Sequence, residues 1–87
     1  MRIYMQTMNT DTGTGTGRFC QLLLHPDLLG GWTVMRETGR QGAKGRTREE
    51  HHTDFTEATE SLYQWRDKLI NDGFKVVFVQ GEENPGS

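Results

Sequence analysis

The sequence has 87 residues with 12 acids, 10 bases and a net charge of −2, which is the length of one small domain. No stretch approaches the roughly 18 apolar residues of a membrane span, and the first thirty residues lack the apolar stretch of a secretory signal, so we expect a cytoplasmic protein. The single cysteine, Cys20, excludes an internal disulfide framework.

The first part of the chain predicts two strands separated by a glycine-rich loop. Residues 2–6 alternate apolar and polar side chains, as a short strand does. Residues 8–17 include three Thr-Gly repeats, and the backbone entropy of so many glycines predicts a flexible loop. Residues 18–24 predict the second strand, whose three consecutive leucines indicate burial on both faces at one end.

The middle of the chain predicts a strand hairpin. Residues 25–31 contain Pro26 and two glycines and predict a turn. Residues 32–40 and 46–52 predict strands, joined by a glycine-containing turn at residues 41–45. The later strand is so polar that it should lie at a sheet edge or have one face in water.

The strongest helical signal runs from Asp54 to Asp72. Asp54 and Glu57 have the spacing of a capping box, and Gly73 is suited to end the helix. One apolar stripe recurs at spacings of three and four residues, and it consists of Phe55, Ala58, Leu62, Trp65 and Leu69.

The C-terminal part predicts one more strand and a frayed tail. Residues 75–79 are apolar on both faces, which favours a central strand, and residues 81–87 should be the tail. The predicted fold is therefore α+β: an antiparallel sheet of about five strands packed on one helix, forming a single domain over residues 1–87.

Charge is distributed unevenly along the chain. Residues 36–48 contain five basic residues and one acid, Glu37, for a charge of +4, whereas the remainder carries −6. Such a polarised chain could meet a polyanion with its basic hairpin. Alternatively, the arginines of a solvated hairpin could pair with the acidic helix.

Residues 30–42 resemble the signature of the WGR domain, which is named for a Trp-Gly-Arg tripeptide that follows an earlier tryptophan. Trp32 matches the earlier tryptophan, Gly39 and Arg40 match the Gly-Arg pair, and Gly42 matches a glycine usual just afterwards. Residues 18–22 look like the preceding strand of the family, and the resemblance extends over about residues 3–80.

The resemblance implies a non-catalytic module. WGR domains of DNA-dependent poly(ADP-ribose) polymerases contact broken DNA and relay that contact to the catalytic part, and small stand-alone bacterial members also exist, which this chain resembles. The name-giving tryptophan is replaced by Thr38. Threonine has no ring to stack on a base, a contact worth about 1–3 kcal/mol, so the resemblance does not extend to stacking on the end of a duplex.

Arg40 is the first candidate for binding a phosphate. Its guanidinium can take a phosphate bidentately, and Gly39 would let a backbone approach closely. The alternative is a salt bridge from Arg40 to the helix or to Glu37. The full set of predicted nucleic-acid-binding residues is Arg36, Gly39, Arg40, Lys44, Arg46 and Arg48.

Other chemistry has little support in the sequence. His51 and His52 are adjacent on a strand and should point to opposite faces, so they are poorly placed to share a metal ion. No activating base is evident for Cys20, and the Thr-Gly repeats lack the lysine of a phosphate loop. We expect neither catalytic residues nor a cofactor nor a metal.

Two functions remain after these exclusions. The basic hairpin could bind DNA or another nucleic acid, as the resemblance implies. The same hairpin could instead meet an acidic surface of a protein partner in an interaction or regulatory module. Neither function involves a membrane.

Overall fold

The computed structural model describes residues 1–7 and 17–81. The predicted loop at 8–17 and the predicted tail at 81–87 lie outside the described residues, apart from Gly17 and Gly81. The elements in chain order are β1 (Arg2–Thr7), β2 (Arg18–Pro26), β3 (Trp32–Arg40), β4 (Arg46–His52), α1 (Phe55–Asn71) and β5 (Phe74–Gln80).

The strands form one antiparallel sheet, ordered β4-β3-β2-β1-β5, against which α1 packs. This arrangement confirms the predicted α+β class. We call the side of the sheet covered by α1 the helix face and the other side the open face. The core lies between the sheet and α1, and its buried side chains are Ile3, Met5, Cys20, Leu22, Leu24, Val34, Ala58, Leu62, Leu69 and Phe74.

Alternation in β3 directs one set of side chains to the helix face. Val34 is buried in the core, and Trp32 is partly buried against it. Trp32 meets Phe55 edge-on at 4.7 Å between ring centroids. Phe55 itself is 47% exposed, so of the predicted apolar stripe Ala58, Leu62 and Leu69 are buried and Trp65 is partly buried.

The ends of α1 agree only in part with the sequence prediction. Asp54 is the N-cap residue, and its carbonyl accepts the Ala58 N–H at 3.1 Å, but its side chain makes no capping hydrogen bond. The predicted capping box is therefore wrong, and the Glu57 carboxylate lies 3.9 Å from His52 Nδ1. Gly73, at φ +102°, follows the helix as predicted, in a backbone conformation that favours glycine.

The prediction that the last strand is central is wrong. β5 lies at the sheet edge because it pairs on one side with β1 and has, within residues 1–7 and 17–81, no neighbouring strand on the other. Its first residue, Phe74, is buried, whereas Val76, Val77, Phe78 and Val79 are exposed by 41–53%. No helix within the described part of the chain is long and apolar enough to cross a membrane.

We predict that Leu62→Ala lowers the free energy of unfolding by about 2–5 kcal/mol, because it leaves a cavity in the fully buried centre of the core. Phe55→Ala is the control from the exposed end of the same helix and should cost clearly less. Thermal and denaturant unfolding measure both variants. An unchanged melt for Leu62→Ala would refute the assignment of α1 to the core.

Candidate nucleic-acid interface

Strand pairing collects arginines from three strands on one face. Arg18 of β2 lies opposite Arg40 of β3, and Arg36 of β3 lies opposite Arg48 of β4. Opposite residues share a face of the sheet, as do residues separated by an even number of positions along one strand. Arg18 stands in this relation to the buried Leu22 of β2, and Arg36 and Arg40 stand in it to the buried Val34 of β3. The arginines therefore belong to the helix face, at the end of the strands where the core gives way to solvent.

A shallow depression of about 490 Å³ lies at this end of the sheet. Its lining residues, which we call the basic depression, are Arg18, Thr38, Gly39, Arg40, Ala43, Lys44 and Arg46. Four of these residues are cationic and none is acidic. The arrangement concentrates positive charge on a protein whose net charge is −2.

The β3–β4 turn brings Lys44 to the depression. The Ala43 N–H donates to the Arg40 carbonyl at 3.0 Å, and Gly42 adopts φ +82°, which closes the turn. The Gln41 N–H donates to the Gly17 carbonyl at 2.9 Å and ties the turn to the start of β2. The position of Lys44 relative to the arginines thus follows from backbone hydrogen bonds.

The cations of the basic depression have no acidic partner among the described residues. The ion pairs of the described residues lie outside the depression, and they join His51 to Asp27, His52 to Glu50 and Glu57, and Arg66 to Asp67. The alternative in which Arg40 pairs with Glu37 is not observed, because β3 alternation places Glu37 on the open face. There its carboxylate accepts a hydrogen bond from Gln21 at 3.4 Å.

Arg36 and Arg48 occupy a separate place from the other predicted residues. The Arg36 guanidinium lies 3.6 Å from the centroid of the Trp65 ring, a close cation–π contact. Together with Arg48, it lines a smaller cavity of about 160 Å³ that also contains Glu49 and Glu50. Of the six predicted residues, Gly39, Arg40, Lys44 and Arg46 line the basic depression, whereas Arg36 and Arg48 lie beside it.

Arg18 is a basic residue of the site that the sequence prediction missed. It comes from β2, outside the basic segment 36–48, and enters the depression only because β2 pairs with β3 in a register that puts it opposite Arg40. Pairing Leu24 with Val34 in the predicted sheet, as the observed register does, would have indicated this neighbour.

Gly39 has a packing role that explains its lack of a side chain. A Cβ atom added there would lie 2.9 Å from Gly45 Cα and 3.2 Å from Phe19 Cε2. The bare backbone on the open face admits the Phe19 ring, which stacks beside Tyr4 at 6.1 Å between centroids. Gly39 thus lets the hairpin close and Phe19 pack, beside the phosphate role predicted from the sequence.

Glu50 connects β4 to the helix beneath the arginines. Its carboxylate accepts hydrogen bonds from the Ser61 hydroxyl at 2.6 Å and the Trp65 indole N–H at 3.1 Å, and His52 Nε2 lies 3.1 Å away. The Ser61 hydrogen bond, followed by those of Trp65 and His52, holds the pKa of Glu50 below its usual range, although partial burial acts in the opposite direction. This carboxylate fixes the indole on which Arg36 lies.

The remaining reactive side chains are separated or inaccessible. Cys20 is fully buried, and burial raises the pKa of its thiol to about 11, so it is not a nucleophile at neutral pH. His51 and His52 contact different carboxylates, Asp27 and Glu50. Within residues 1–7 and 17–81, no group of three or more His, Cys, Asp or Glu side chains is arranged to hold a metal ion.

Comparison with known proteins agrees with this architecture. The family model of the WGR domain matches residues 1–75, most of the 87-residue chain, and the chain therefore belongs to the WGR domain family. A search among curated proteins gave no match.

The Glu50 contacts predict a pH dependence of stability. Because the folded state lowers the pKa of this carboxyl, its contribution is complete above the ordinary glutamate pKa of 4.5 and is lost as the pH falls through the lower folded value. We expect Glu50→Gln to be less stable than the wild type at pH 7 and to lose less stability on acidification. Urea unfolding at pH 3 to 7 measures this.

Glu49→Gln is the matched control, because Glu49 is an exposed neighbour on the same strand whose side chain makes no hydrogen bond or ion pair within the described residues. It should follow the wild-type pH profile. If Glu50→Gln also follows that profile, the proposed attachment of β4 to the helix through Glu50 is wrong.

Proposed function

We propose that this member of the WGR domain family is a non-catalytic module that binds nucleic acid through the basic depression. The observation that carries the proposal is the convergence there of four cations from β2, β3, the β3–β4 turn and β4, with no acid among the described lining residues. Clustered Lys and Arg side chains on one face supply the sequence-independent, phosphate-directed part of nucleic-acid affinity.

The strand register supports an anionic ligand. Arg18 lies directly opposite Arg40, and like charges directly opposite in an antiparallel pair destabilise the sheet. A phosphate between the two guanidinium groups would replace this repulsion with charge-assisted hydrogen bonds. In the free protein the Arg18 guanidinium lies 5.9 Å from the centroid of the Phe74 ring, and a phosphate shared with Arg40 would offer it a charge-assisted partner.

The side chains of the depression favour the phosphate backbone over the bases. Thr38 lies in the depression where the family has its name-giving tryptophan, and none of the described lining residues is aromatic. The nearby Trp65 ring is covered by the Arg36 guanidinium. Binding should therefore depend on backbone contacts, with little discrimination between sequences.

A second candidate is binding of an acidic protein surface by the same depression. The net charge of −2 favours it, because nucleic-acid-binding domains usually have a strongly basic balance. Thr38 also favours it, since a protein partner does not require a stacking platform. The two candidates share the cationic side chains and differ in the ligand.

We predict salt-sensitive binding of duplex, nicked or single-stranded DNA that Arg40→Ala weakens. If all four cations contact phosphates of duplex DNA, the slope of log K against log salt should be about −3.6, and each Ala substitution should reduce its magnitude by about 0.9. Fluorescence anisotropy with labelled DNA at two or more salt concentrations measures both quantities. Arg18→Ala tests the residue that the sequence did not indicate.

Lys68→Ala is the control for this experiment, since it also removes one positive charge but lies on an exposed position of α1. Equal weakening by Lys68→Ala would show attraction to net charge rather than a site. Absence of DNA binding at low salt, with Arg40-dependent binding of polyglutamate, would instead support the acidic protein partner.

A further prediction concerns the position of the missing tryptophan. Thr38→Trp should increase affinity for blunt duplex ends relative to closed circular DNA, by up to about 1–3 kcal/mol for one stacked base. Thr47→Trp is the control, because Thr47 is opposite Glu37 on the open face. If Thr38→Trp gives no gain for ends, the depression does not present a duplex end as the polymerase domains do.

A further inference from the structure

The two edges of the sheet differ in how they resist pairing with another strand. The outer strand β4 includes Arg46, Arg48, Glu49 and Glu50, and charged side chains on an edge strand oppose edge-to-edge association. β5 carries one charge, Lys75, followed by four apolar residues, 76–79, that are exposed by 41–53%. Lys75 and a bulge protect the β5 edge, but it has fewer charges than the β4 edge.

The pairing of β5 with β1 identifies the face of each exposed side chain. Val76 and Val79 lie opposite the buried Met5 and Ile3 and so belong to the helix face. Three other residues of β5 lie opposite residues of the open face and belong there, in the pairs Gln6–Lys75, Tyr4–Phe78 and Arg2–Gln80. Val77 has no partner on β1, because the register shifts at this point and forms a bulge.

We infer that β5 pairs antiparallel with β5 of a second copy of this chain and joins two sheets into one of ten strands. In a twofold pairing, opposite residues must share a face. The bulge satisfies this condition when Val76 lies opposite Val79 of the second copy and Lys75 lies opposite Gln80. A register centred on Val77 would instead set Val76 of the helix face against Phe78 of the open face.

Few charges meet where a second copy pairs with β5. In this register each Lys75 faces Gln80, whose side-chain oxygen accepts a hydrogen bond from Arg2 of its own chain at 3.2 Å, so Arg2 is a second cation at this edge. The two lysines are about 16 Å apart at roughly 3.3 Å per residue. That separation exceeds the Debye length of about 8 Å at physiological salt. The two basic depressions are lined from β2, β3 and β4, and β1 separates those strands from the joined edges, so dimerisation leaves the depressions open.

The size of the apolar patch sets the expected strength of the dimer. Four half-exposed side chains provide on the order of 300 Å² of apolar surface per protomer. Even with the backbone edge added, the interface falls below the roughly 1,200–2,000 Å² of stable complexes. We therefore expect a dissociation constant on the order of 10–100 μM.

Sedimentation equilibrium of the full chain tests the dimer. At several hundred micromolar, the wild type should approach twice the 10.0 kDa mass of the monomer, and Val77→Lys should weaken association at least tenfold. Leu28→Lys is the matched control, because Leu28 is fully exposed in the turn between β2 and β3 and should leave association unchanged. Circular dichroism melts verify that both variants fold.

A monomeric wild type at that concentration would overturn the inference, as would equal weakening by Leu28→Lys, which would indicate unspecific hydrophobic association. So would a dimer that Val77→Lys leaves intact, because its interface would lie elsewhere.

Cysteine cross-linking tests the register. A mixture of Val76→Cys and Val79→Cys chains should form a disulfide-linked heterodimer, since opposite Cα atoms are about 4.5–5.5 Å apart and disulfides span up to about 6.8 Å. Neither variant alone should cross-link efficiently, because the like positions are roughly 10 Å apart along the strand. The native Cys20 is buried and should not interfere. Cross-linking of either variant alone, or none in the mixture, contradicts the register.

Discussion

The register that pairs β2, β3 and β4 is the constraint on which the site depends. It aligns the buried Leu22 and Leu24 with the helix-face positions of β3, and the same two-residue alternation then carries Arg18 and Arg40 past the end of the core on that face. Shifting the register by one residue would expose the core. The apolar packing therefore sets Arg18 opposite Arg40 on the helix face.

Thr38 and Trp65 determine whether the site presents an aromatic ring on which a base could stack. Thr38 lies within the depression, and the nearest tryptophan is held by Glu50 and covered by Arg36. The helix thus uses its indole to support a guanidinium instead of presenting a ring to a ligand. A surface of this kind attracts phosphate by charge and hydrogen bonding, while β5, at the opposite edge of the sheet, offers a surface of a different chemistry.

Local signals predicted most of the elements, because each depends on neighbouring residues. The turn glycines and the alternation around them fixed the bounds of β3 and β4, and Gly73 marked the end of the helix. Strand order was beyond such signals: the apolar run of β5 suits a central strand, but β1 is inserted between it and β2. Arg18 was missed for the same reason, since it joins Arg40 only through strand pairing. The Asp54 capping box failed because Glu57 lies near His52 instead.

The central claim is that the cations of the basic depression form one accessible anion site. A titration of the isotope-labelled protein with a short DNA duplex, followed by two-dimensional NMR of the backbone amides and arginine side chains, tests it most directly. The account predicts that the largest shift changes cluster at Arg18 and residues 38–46 and vanish at high salt. Changes spread evenly over α1 and the open face, or absent at low salt, would contradict it.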